Sequence, residues 1–168
     1  MPMPLGRVQW ALIHLRLKSL SGTATNFVFN FATIADMGIT LSALGALLIT
    51  VAIAFHAYVF YLESVTWRKP KTWKTFGIAN QDHANIIAPM ALNQGFYNLF
   101  LAIGAGVGLV LLGVNSVIAL TLIAFASLNM AGAGAVLFFS VKSSRREAII
   151  QAGPPMLGIV FLLIGRAL

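Results

Sequence analysis

His56 and Glu63 are ionisable side chains carried by an apolar run: from Met37 to Leu62 no residue bears a formal charge, and Glu63 closes the run. An imidazole, with an ordinary pKa of about 6.5, changes charge close to neutrality and suits proton handling. A carboxylate at the edge of a membrane span is costly enough to mark a functional candidate. Ser42, Gly45, Ile49, Ala52, His56, Val59 and Glu63 recur at steps of three and four, which puts them on one helical stripe. Along a helix axis the imidazole and the carboxylate then stand about 10 Å apart, a gap that a water or a polar ligand fills.

A second constellation follows. Asn93, Gln94, Tyr97 and Asn98 put four hydrogen-bonding side chains within six residues, and Asn129 and Gln151 add amides further along. Counted inward from the basic loops, Asn93 and Gln94 lie about as deep as His56. The groups are expected to converge on a polar chamber that opens toward the cytoplasm and takes a small or amphipathic molecule, for transport or for chemistry at that leaflet. The plainer reading is that the amides bridge helices as packing contacts, worth about 0.6 to 2 kcal/mol each. A non-catalytic accessory subunit of a larger membrane complex would use them in that way. Gly104 and Gly108 have G-x-x-x-G spacing and, with Gly132, are expected to mark close helix packing.

Other chemistries lack their residues. His14, His56 and His83 stand in different environments, nothing resembles H-E-x-x-H, and there is no cysteine, so no metal site and no cofactor is expected. A phosphate-binding glycine loop and a G-x-S-x-G nucleophile are both missing. No reacting group for an enzyme is identifiable, which leaves catalysis open.

The elements that must position these side chains follow from composition. Of the 168 residues, 59% are hydrophobic and 9% charged, against about 25% charged in an ordinary soluble domain. The apolar residues fall in unbroken blocks, so the expected fold is an all-α membrane protein, a four-transmembrane-helix bundle. The first span is expected near 38–64. Residues 84–141 contain no Lys, Arg, Asp or Glu, far more than the roughly 20 to 25 residues of one crossing, so they must fold back once. Turn chemistry at Gly113-Val114-Asn115-Ser116 sets spans near 86–112 and 117–141. A fourth, near 148–167, contains Pro154-Pro155, expected to kink it.

Arg68, Lys69, Lys71 and Lys74 follow the first span, and Lys142, Arg145 and Arg146 follow the third. Basic residues in short loops stay in the cytoplasm, so both loops are expected there, in a multi-pass protein of the bacterial plasma (inner) membrane. The +7 formal charge then reflects topology and contact with membrane lipids, not nucleic acid. Trp67 and Trp73 beside the first loop suit an aromatic belt at the membrane surface. A homo-oligomer or a larger membrane complex is an expected setting.

Residues 1–36 form an N-terminal extension in front of the transmembrane domain, residues 37–168. Arg7, His14 and Lys18 share a narrow face among apolar residues, which fits an interfacial helix. The alternatives are a disordered segment or an upstream extension of a chain that starts at Met37. Short apolar stretches without a cleavage site speak against a signal peptide.

H-A-Y-V-F-Y-L-E at 56–63, W-x-x-F-G at 73–77 and N-Q-G-F-Y-N-L-F-L-A at 93–102 together resemble the bacterial integral membrane family called domain of unknown function 1304 (DUF1304). The resemblance covers about Met37 to Leu168. It implies a four-helix membrane fold without an established activity, and directs attention to His56, Tyr58, Tyr61, Glu63, Asn93, Gln94, Gly95, Tyr97 and Asn98. Phe96 stands where the family pattern leads one to expect leucine. The N-terminal extension is the larger departure.

Overall fold

The computed structural model describes residues 5–168, with side chains described at 18, 22 and 28–168. Its elements are α1 (Leu5–Phe60) running into a π-turn (Tyr61–Val65), short α2 (Pro70–Thr75), α3 (Gln81–Leu111), α4 (Ser116–Ser140), a 3-10 turn (Lys142–Ser144) and α5 (Arg145–Ala167). No strand occurs among the described residues. Among the described residues, four helices are long and apolar enough to cross a membrane. The turn between α3 and α4 falls at 112–115, where side-chain caps take over from the apolar run: the Asn115 side chain accepts from the Ile118 amide at 3.1 Å. Helix α3 starts at Gln81, before the expected 86, because Asn80 caps it through the His83 amide at 2.9 Å.

α1 packs on α5 and α3, and α4 on α3 and α5, so the four helices close into a ring. Small residues let the backbones approach. A Cβ at Gly45 would stand 2.8 Å from the Gly158 carbonyl oxygen, one at Gly108 3.0 Å from the Ala119 carbonyl oxygen, and one at Gly134 3.0 Å from the Ala148 carbonyl oxygen. Between these contacts Ile49, Ala52, Ala105, Ile123, Ala126, Met130, Ile159 and Leu162 form the core. Gly104 and Gly132 differ from expectation. Beyond the local helix backbone nothing lies within 4 Å of a Cβ built at either, so of the three expected glycines Gly108 makes the close contact inside this chain, joined on α4 by Gly134.

The antiparallel ring brings both basic loops to one end and the 112–115 hairpin and C-terminus to the other, where Gly38 meets Gly165 and Leu168. Helix α1 is continuous from Leu5, so the extension and the first span are one helix. Within it, Val28, Phe29 and Phe31 are exposed beyond the level of the last residue of α5. The side chains of Arg7 and His14, and with them the expected interfacial face, lie outside the described residues, as do residues 1–4. Pro154 and Pro155 are accommodated inside α5 without ending it.

Candidate functional site

The C-terminal turn of the first span widens into a π-turn, closed by the Thr66 amide donating to the Tyr61 carbonyl at 3.0 Å. Such insertions redirect side chains and recur at functional sites. Here the turn lays Glu63 and Ser64 against α3. Glu63 is 9% exposed. Asn98 Nδ2 donates to Glu63 Oε2 at 3.1 Å, and Ser64 Oγ donates to the Leu92 carbonyl at 3.1 Å. Gly95 makes this contact fit: a Cβ there would lie 3.1 Å from Glu63 Cβ and would collide with Ser64 Oγ.

Two turns deeper, His56 is 1% exposed. Its Nδ1 lies 2.9 Å from the Ala52 carbonyl oxygen. A carbonyl only accepts, so Nδ1 carries the proton and Nε2 presents a lone pair. Nε2 is buried without a partner, as is Ser127 Oγ on α4. Buried polar atoms are rarely left so, and each asks for a water or a small ligand.

The amides of the second span part company. Asn98 is half-buried on Glu63, whereas Asn93, Gln94 and Tyr97 are exposed on the outside of the bundle. Asn129 is exposed too, its amide donating back to the Phe125 carbonyl at 2.8 Å. Gln151 reaches across to the Met130 carbonyl at 3.4 Å. The inward face of α3 consists instead of Ala84, Ala91, Gly95, Ala102, Ala105 and Gly108. Small residues allow helices to touch, and that closeness turns the bulkier amides outward.

The loop after the π-turn is a folded cap. Trp67 and Trp73, expected in a surface belt, are buried with Ala84 and Ala91. Trp67 Nε1 donates to the Ala84 carbonyl at 2.8 Å and Trp73 Nε1 donates to Gln81 Oε1 at 3.3 Å. Thr72 Oγ1 donates to Thr66 Oγ1 at 3.1 Å, and Gly77, at φ 75°, ends α2 in a conformation that favours glycine. Beneath this cap opens a cleft of about 470 Å³ lined by Glu63, Ser64, Val65, Thr66, Trp67, Arg68, Lys69, Ala88, Pro89 and Leu92. Neither cation pairs with Glu63 among the described residues. Pro89 lies within α3 and has no amide hydrogen for the Asn85 carbonyl one turn earlier.

Sequence reasoning missed Ser64, Thr66, Arg68, Lys69 and Pro89 as a group. The signal available was the proline in an apolar helix, facing a Ser-Val-Thr-Trp-Arg-Lys run directly after an intramembrane carboxylate. No group of three or more potential metal ligands occurs among the described residues.

No curated protein and no solved structure matches the chain. A family model described as a protein of unknown function, DUF1304, matches residues 50–163, about two thirds of the sequence, and spans His56, the π-turn, the cleft and all of α3 and α4. The chain therefore belongs to the DUF1304 family.

Proposed function

We propose that this protein binds an amphipathic molecule by its polar headgroup in the cleft under the cap, on the cytoplasmic side, either to move it across the membrane or to act on it at that leaflet. The observation that carries this reading is a buried carboxylate and two cations lining one cleft without pairing with each other. A carboxyl acceptor and two cations left apart in a confined space suit a headgroup that is itself dipolar. Its anionic part lies on Arg68 and Lys69 and its donor or cationic part on Glu63, with the Ser64 and Thr66 hydroxyls between. Val65, Ala88 and Leu92 give the start of the tail an apolar wall. The cleft volume lies in the ordinary range for ligand sites, about 300 to 1,000 Å³, and holds a headgroup, not a whole lipid. His56 is the proton-handling group deeper in the bundle, through the free lone pair of Nε2. The seven cations of the two basic loops at this end support the cytoplasmic side.

Vesicles of phosphatidylethanolamine and phosphatidylglycerol supply the test. The purified full-length protein, extracted and weighed by native mass spectrometry, should retain phosphatidylethanolamine. The Arg68→Ala/Lys69→Ala and Glu63→Gln variants should each retain at least about tenfold less, as expected when one charge-assisted contact of about 1.5 to 3 kcal/mol is removed. Equal retention by wild type and both variants rejects the cleft as the binding site.

A further inference from the structure

Where α4 hands over to α5, small residues bring the two helices together and large ones stand back from the seam. A Cβ at Gly134 would lie 2.8 Å from the Ala152 Cβ and 3.0 Å from the Ala148 carbonyl oxygen, so this contact forms a floor. Phe138 and Phe139 on α4, edge to face at 5.4 Å, and Ile149 on α5 rise on either side. The result is an open groove of about 180 Å³ with a wholly apolar lining. Arg145, Ala148, Ile149 and Ala152 share one face of α5 by their spacing, so Arg145 crowns the groove. Its guanidinium sits 4.9 Å over the Phe138 ring, and Nε donates to the Phe138 carbonyl at 3.4 Å. The terminal guanidinium nitrogens make no hydrogen bond to any described residue.

Charge decides what fills this groove. Lys142, Arg145 and Arg146 put three cations within five residues, and no carboxylate pairs with them among the described residues. Glu147 stands about 200° round the helix from Arg145, off the shared face. The other basic loop differs, because Arg68 and Lys69 share their cleft with Glu63. A headgroup of net negative charge suits the α4–α5 seam, and the arginine fork matches a phosphate. From Arg145 to Ala152 the groove runs about 10 Å along the helix, away from the basic end and into the apolar part of the bundle. A helix, about 10 Å across with its side chains, does not enter so narrow a space, whereas one hydrocarbon chain does. We propose that the α4–α5 seam holds an anionic phospholipid, with its phosphate on Arg145 and Arg146, Lys142 beside them, and the first part of one acyl chain in the groove between Phe138 and Ile149.

The purified full-length protein, delipidated in mild detergent and titrated with phosphatidylglycerol, reports occupancy by native mass spectrometry. Helix content matched to wild type by circular dichroism qualifies each variant. Arg145→Gln/Arg146→Gln should raise the concentration for half-occupancy about tenfold or more. Because Arg145 also packs on Phe138, Lys142→Gln/Arg146→Gln is a second variant, and its shift should have the same direction. Ala135→Phe keeps every cation and fills the groove from an exposed position on its wall, so binding should weaken at least about fivefold. Lys71→Gln/Lys74→Gln removes the same charge from the other loop and should leave the curve within about twofold of wild type. An unchanged curve for any of the three seam variants overturns the proposal. An equal shift in the Lys71/Lys74 variant overturns it as well, since attraction would then belong to the whole basic end. So does a loss of phosphatidylethanolamine, titrated in the same way, as large as that of phosphatidylglycerol, because the seam would then accept any phospholipid.

Discussion

The first and second spans carry similar polar side chains and dispose of them in opposite ways. In the first span and its π-turn the imidazole and the carboxylate point into the bundle, the one at 1% and the other at 9% exposure, and each is held by a short contact. In α3 three of four polar groups point out. The difference lies in what occupies the opposite face of each helix. The first span has Thr50, Val51 and Tyr58 on α1 and Tyr61 on the π-turn to give to the outside. Helix α3 has a row of alanines and glycines that can meet a neighbour closely, and that row takes the inside. Close backbone contact outweighs the side-chain hydrogen bond when the two compete for one face, since such bonds average only about 0.6 kcal/mol in a bilayer.

The strongest attack on this comparison is Gly95→Leu. The added side chain would meet Glu63 and Ser64 directly. Overpacking against helix backbone typically costs about 1 to 3 kcal/mol, and the upper end is expected here because the π-turn on the other side cannot shift without losing the Glu63–Asn98 bond. Unfolding in detergent measures it. A change below about 0.5 kcal/mol would mean that the small residues do not set the face of α3.

His56 gives the next largest effect. His56→Ala leaves a cavity and should cost about 2 to 3 kcal/mol. His56→Phe fills the space and removes the orphaned Nε2, so its stability should fall within about 1 kcal/mol of wild type. Phosphatidylethanolamine transfer in reconstituted vesicles separates the roles. Loss of transfer by the well-folded His56→Phe protein supports proton handling, while full transfer makes His56 a packing residue.

Asn98 tests the inward minority of the second span. Asn98→Ala strips Glu63 of its partner and should cost about 1 to 2 kcal/mol, whereas Glu63→Gln keeps a hydrogen bond to Asn98 and should cost less. The two variants should both lose headgroup retention, so the pair separates stability from binding. If Asn98→Ala is as stable as wild type, the Glu63–Asn98 bond does not hold the π-turn against α3.

Span count and connectivity were legible because charge-free length is a property of the bilayer as solvent. Residues 84–141 could only be a hairpin, and 113–116 was the segment able to turn. The inward stripe of α1 was legible for a related reason: Gly45, Ile49, Ala52, His56 and Glu63 combine small, apolar and ionisable residues on a single face, and all five are buried. Helix α3 misled because Asn93, Gln94, Tyr97 and Asn98 spread around nearly half the helix, so no single stripe contains them. Its alanines and glycines were the better guide. The cap escaped notice because a Trp near a basic loop reads equally as a surface anchor or as a buried residue with its N–H satisfied. Only the carbonyl of Ala84, seventeen residues away, decides between them.

The smallest expected effect sharpens the comparison most. Asn93→Leu/Gln94→Leu removes two unpartnered side chains from a lipid-facing surface, so the fold of a single copy should change by less than about 0.5 kcal/mol, measured by unfolding at high dilution in detergent. Headgroup retention in the cleft should also persist, because neither residue lines it. A loss near 2 kcal/mol would show that these amides bridge helices within one chain, as the packing reading of the sequence supposes, and would move α3 into the same class as α1. A neutral result leaves the outward amides with no role in packing the monomer, so whatever they contribute is made to the surroundings of the bundle, and the inward alanines and glycines alone set the face of α3.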